Sequence, residues 1–212
     1  MKNFLSRSFL LILSLWIVMA SPATCQPEEY VPGKGPWTTA IFDSSFTKAL
    51  YKGTFDISKT HLTGLFMIKR TGENSIRIVF SNEFGMTFFD FEYRGEQFVV
   101  HYLYPSFEKH SLPDILEKDF RLLLVPDSTV KKMKPQNSKK PEVAAFGVKS
   151  TRGSFRYSYD HESGKIVRIQ TSNSFISKAD LLLYYEKGPV PKKIILDNPR
   201  IRLHIKLTFL SN

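Results

Sequence analysis

The chain has 212 residues, 42% of them hydrophobic and 14% aromatic, and a formal net charge of +10. That composition supplies the core of one sizeable domain. Its single cysteine, Cys25, excludes any internal disulfide.

The N-terminus places Lys2 and Arg7 ahead of an apolar run from Phe9 to Ala20, the order of a secretory signal. This run is well short of the roughly 20 apolar residues that a spanning helix needs. Export with cleavage is therefore expected, with residues 1–24 as the leader. Cys25 closes the stretch Pro22-Ala23-Thr24-Cys25, where a bacterial lipoprotein carries the cysteine that becomes acylated. Pro22 and Thr24 depart from the usual lipobox, so the alternative is cleavage after Ala20 or Ala23 and a free thiol. Acylation at Cys25 places the protein on the inner face of the outer membrane; without it the protein belongs to the periplasm. An exported chain makes nucleic acid a poor partner. The basic balance suits anionic lipid surfaces, with a merely solvated basic exterior as the alternative.

Residues 25–45 read as a tether or arm, because Gln26 to Thr38 holds three prolines and two glycines without periodicity. The single domain is expected over 46–212. Phe46 to Ile57 reads as a strand with a bulge at Gly53, and Leu62 to Lys69 as the next. Ile76, Ile78 and Phe80 alternate with polar or smaller residues up to Ser81. Phe89, Phe91 and Tyr93 alternate with Asp90 and Glu92 in the run from Met86, which is the period of a half-buried strand. Phe98 to Tyr104 follows. Each connection is too short for a crossover helix, so the strands form an antiparallel meander.

The pattern then changes to helical spacing. Ser111 is a candidate N-cap, Pro113 and Asp114 suit the first turn, and Leu112, Ile115, Leu116, Phe120, Leu123 and Leu124 form one apolar stripe that Pro126 ends. Residues 127–142 carry five lysines and two prolines and read as a flexible basic loop, with a mobile flap as the functional alternative. Strands resume at Val143–Lys149, Phe155–Tyr159, Lys165–Gln170, Asp180–Glu186 and Lys193–Leu196. The last is expected over Ile201–Leu210, with Ile201, Leu203 and Ile205 on one face. About ten or eleven antiparallel strands cannot stay flat, so the expected fold is mostly β, a curled sheet forming an unclosed barrel with at least one amphipathic helix against it.

The chemistry of catalysis is not visible. His61, His101, His110, His161 and His204 lie apart, with no metal-ligand spacing and no cofactor fingerprint, and they read as exposed, structurally ordinary histidines. No metal and no cofactor is implied. Asp90 and Glu92 share a strand face, yet nothing sets their environments apart, so they read as solvent-facing carboxylates rather than an acid/base pair.

Three segments carry a resemblance: Leu62-Thr63-Gly64-Leu65-Phe66-Met67-Ile68-Lys69, then Ile76-Arg77-Ile78-Val79-Phe80, then Phe84-Gly85-Met86-Thr87-Phe88-Phe89-Asp90-Phe91. In that order they resemble the LolA/LolB-like superfamily of outer-membrane lipoprotein carriers and receptors. The resemblance implies an unclosed β-barrel with capping helices over a hydrophobic concavity that holds lipid or lipoprotein acyl chains, with no catalytic group. The alternative is a non-catalytic structural or interaction module of an envelope assembly. The candidate lining comes from the alternating faces: Ile76, Ile78, Phe80, Phe89, Phe91 and Tyr93, then Phe155 and Tyr157, then Ile201, Leu203 and Ile205, with Leu116 and Phe120 from the helix. Whether these faces enclose a cavity or close on each other as a filled core stays open at this point.

Overall fold

The computed structural model describes residues 38–108, 112–124, 130, 133–172 and 178–211. The expected leader, Cys25, most of the tether and the Ser111 cap lie outside them. Within them, alternating side chains build the sheet. In β1 (Lys48–Ile57), Ala49, Tyr51 and Phe55 are buried while Lys48 and Lys52 are exposed, because successive side chains of a strand point to opposite faces. Tight turns continue the meander through β2 (Thr60–Gly72), β3 (Ser75–Ser81), β4 (Thr87–Arg94) and β5 (Gln97–Leu103). A 3-10 turn at Pro105–Phe107 and helix α1 (Leu112–Leu124) follow. The chain returns through β6 (Met133–Gln136), β7 (Val143–Ser150), β8 (Gly153–Asp160) and β9 (Ile166–Ser172). It ends with β10 (Asp180–Tyr184), β11 (Lys193–Asn198) and β12 (Leu203–Ser211).

All twelve strands belong to one antiparallel sheet of order β5-β4-β3-β2-β1-β12-β11-β10-β9-β8-β7-β6. First and last strands meet at its middle, with Phe55 opposite Ile205 and Gly53 opposite Leu207. β5 and β6 are the two edges, so the sheet curls without closing. Helix α1 carries the chain from one edge to the other across the concave face. Its stripe of Leu112, Leu116, Phe120, Leu123 and Leu124 is buried there. Both halves of the sheet hold it: the Tyr93 hydroxyl donates to the Glu117 carbonyl (2.8 Å), and the Asn198 amide donates to the Asp119 carboxylate (2.8 Å). At the seam between the edges, Arg152 pairs with Glu96 (2.8 Å), and Arg121 donates to the Gly95 and Glu96 carbonyls.

Three expectations are corrected. The stretch 127–142 is not all loop, because Met133–Gln136 forms β6 against β7, with Met133 wholly buried. Pro135 is tolerated there because an edge strand has one side without ladder bonds. Gly53 makes no bulge; it keeps register opposite Gly64, and a Cβ on it would lie 2.6 Å from Leu207 Cδ2 and 2.8 Å from the Lys206 carbonyl oxygen. Ile201 precedes the last strand. Hydrogen bonds from Ile201 to Asn198 and from Arg202 to Pro199 keep it in a turn. The described end of the expected arm is packed, since Ile41 and Phe42 are buried and the Tyr159 hydroxyl donates to the Thr38 carbonyl. No helix forms between Ile41 and Leu50.

Candidate ligand cavity

The middle of the concave face is full. Phe66 stacks on Phe80 with ring centroids 4.1 Å apart, Phe89 stacks on Phe91 at 4.8 Å, and Phe120 of α1 closes on Phe89 at 5.5 Å. Twelve of the thirteen residues read from the sequence as lining are buried here. Ile76, Ile78, Phe80, Phe89, Phe91 and Tyr93 form one part of this core, with Leu116 and Phe120 above them. Leu203 and Ile205 lie under its centre, and Phe155 and Tyr157 pack with Tyr159 in the other half. Of the thirteen, Ile201 lines an open space among the described residues.

That space lies at one end of the concavity, a cavity of about 540 Å³ where turns rather than strand middles meet. Ile57, Ser58, Thr60 and Leu62 line it from the β1–β2 connection, and Ile201 from the β11–β12 turn. The amide of Ser58 donates to the Arg202 carbonyl (3.2 Å), joining these two turns. Both residues have positive φ, 54° and 52°, which non-glycine residues seldom adopt. The opposite wall is Tyr104, Ser106 and Phe107 of the 3-10 turn, with Leu112 and Ile115 from the first turn of α1. Ser58, Thr60 and Ser106 give a hydroxyl rim, and no described lining residue is charged.

Phe88 completes the floor. It breaks the expected alternation through a register shift: Phe80 faces Phe89 but Ser81 faces Thr87, leaving Phe88 as the extra residue. An inserted residue of this kind re-aims its side chain. The Phe88 ring packs at 4.9 Å from Phe80 and 6.3 Å from Phe107, so the filled aromatic core continues directly into the cavity floor. Sequence reading found Leu112 and Ile115 only as parts of the helix stripe and did not single out Leu62, Phe88 or Phe107. The Phe88-Phe89 doublet was the one available signal. A volume of this size with apolar walls and a few hydroxyls suits a small apolar ligand or part of a chain.

No protein-family model matches the chain, and no curated protein matches it. A LolA superfamily protein from Nitrosomonas europaea has a similar structure, with a TM-score of 0.53 at 6% identity over 82% of this chain and 89% of that one. The fold is LolA-like. A DUF1329 family protein from Desulfovibrio piger matches at a TM-score of 0.47 and 10% identity, covering 78% of this chain and 85% of that one. A domain described as an outer membrane lipoprotein-sorting protein, from Vibrio parahaemolyticus, gives 0.45 and 8%, covering 80% and 86%.

In this LolA-like sheet Asp90, Glu92, His61, His101 and His204 stand outside the cavity lining. Asp90 forms a bidentate pair with Arg77. Glu92 is not solvent-facing, as its alternation suggested, but 5% exposed. Hydrogen bonds from Arg94, Thr71 and His101 hold its carboxyl at about 2, well below its ordinary 4.5. His61 and His204 pair with Asp56 and Asp197. Among the described residues no group of three or more His, Cys, Asp or Glu is placed to hold a metal ion, and no helix is long and apolar enough to cross a membrane.

Proposed function

We propose that the protein is a non-catalytic binding protein of the cell envelope that takes an acyl chain of a lipid or lipoprotein into the cavity beside α1. The apolar cavity of about 540 Å³ carries this reading. Each methylene moved from water into it contributes about 0.8 kcal/mol, so several buried methylenes give useful affinity without any ion pair. The hydroxyls of Ser58, Thr60 and Ser106 stand where the polar end of such a ligand would leave the apolar walls. Support also comes from the LolA-like fold, shared with the LolA superfamily protein from Nitrosomonas europaea. The proposed location is the periplasm, or the inner face of the outer membrane if Cys25 is acylated. In this proposal Ile201 is a direct contact, and the other twelve residues of the expected lining belong to the packed core of the concave face.

Titration of the delipidated protein with a fluorescent long-chain acyl probe tests the reading. Saturable binding displaced by unlabelled fatty acid is expected. A folded protein that leaves the probe unbound contradicts it. Intact mass of the exported chain decides between an acylated Cys25 and a free thiol.

A further inference from the structure

We propose that the convex face of the sheet, at the end of β1 remote from the cavity, docks on an anionic lipid surface. Cross-strand register decides which convex residues are neighbours. Leu50 lies opposite Met67, and Met67 opposite Val79. Leu65 is two residues from Met67 and shares its face. Leu210 is the extra residue where β12 shifts register beside Leu50 and Tyr51. These side chains form an apolar island on a face that the alternation otherwise makes polar. Met67 is 38% and Leu210 50% exposed, and none of the five belongs to the concave core. The β3–β4 hairpin borders it on the side toward the cavity, because Ser81 at its start pairs with Leu65. Glu83 of that hairpin pairs with Lys52 of β1 (3.0 Å), and its neighbour Phe84 is 97% exposed.

Lysines ring the island. Lys48 lies directly opposite Lys69 along one border, a like-charge juxtaposition that costs stability in a sheet. On the other border Lys52 lies opposite Thr208, and Thr208 opposite Lys193, whose ammonium sits 5.3 Å from the exposed Tyr184 ring. Among the described residues Lys48, Lys69 and Lys193 have no carboxylate partner, so their charge is available to an external anion. Composition selects the occupant. Lysine is depleted at protein–protein interfaces, whereas its long stem lies along apolar surface and its ammonium reaches lipid head groups. An apolar island rimmed by lysine and tyrosine is thus complementary to the boundary between acyl chains and anionic head groups. From Leu50 the chain rises roughly 23 Å along β1 to Ile57 at the cavity. Docking here leaves the cavity clear and does not depend on the acyl-binding reading.

The chain from residue 25 onward carrying Cys25→Ser, which has neither the apolar leader nor an acyl anchor, is sedimented with vesicles of phosphatidylcholine alone or mixed with phosphatidylglycerol. Binding only to the phosphatidylglycerol vesicles, weakened by salt, is expected. The double variant Lys48→Glu/Lys69→Glu should bind about 25-fold more weakly or worse, given roughly fivefold per lysine. Met67→Glu should bind about tenfold more weakly, with unchanged circular dichroism, while Ile115→Trp in the cavity leaves vesicle binding intact. Equal binding to both vesicle types, or binding unaffected by these reversals, overturns the proposal. So does an outcome in which the variants lose an envelope protein rather than vesicles.

Discussion

The middle of the concave face and its end are built from the same kinds of side chain, yet one is filled and the other open. In the middle, strands run side by side and place Phe66, Phe80, Phe89 and Phe91 at adjacent register positions, where Phe66 stacks on Phe80 and Phe89 on Phe91. At the end, the lining comes from the β1–β2 and β11–β12 turns, a 3-10 turn and the start of a helix, and these pieces cannot interdigitate as neighbouring strands do. Apolar residues on a concave face therefore do not by themselves make a cavity. What makes one is the meeting of elements without a shared register.

That contrast can be broken from the filled side first. Phe80→Ala removes a ring in contact with Phe55, Phe66, Phe88 and Phe89 and should cost about 3–5 kcal/mol in a urea melt. A loss under 1 kcal/mol would mean that the middle is not tightly packed. Gly64→Ala comes next, since its Cβ would lie 2.1 Å from the Ser81 carbonyl oxygen, and overpacking of this kind costs about 1–3 kcal/mol.

The convex cluster gives a smaller, pH-dependent effect. Because the folded Glu92 carboxyl sits at about 2 instead of 4.5, its contribution is fully present above pH 4.5 and is lost as pH falls toward 2. Glu92→Gln should lower stability by about 2 kcal/mol at neutral pH, and the difference from wild type should vanish near pH 2. A constant difference across that range would assign the effect to packing. Smallest of all, Tyr93→Phe removes one hydrogen bond to α1 and should cost about 1 kcal/mol, seen as faster amide exchange in the helix than in β4.

Much of the fold was legible because Ile76, Ile78 and Phe80, or Leu203, Ile205 and Leu207, state the strand period and its buried face directly. Strand β6 was not, since Lys134-Pro135-Gln136 is polar and its pairing is set by β7 rather than by its own pattern. The cavity was hidden for a different reason. Alternation that turns Phe89 inward turns Phe88 outward, and only the register shift opposite Ser81 reverses this. Nor does sequence show that Ser58 and Arg202, more than a hundred positions apart, share a hydrogen bond at the same rim.

The most direct test of the account is acyl-probe binding by Ile115→Trp compared with wild type. Ile115 is half-buried at the cavity wall. An indole there should fill the space, change stability by less than about 1 kcal/mol and weaken probe binding at least about tenfold. Unchanged probe affinity in the folded variant would contradict the claim that the open end of the concave face is the binding site.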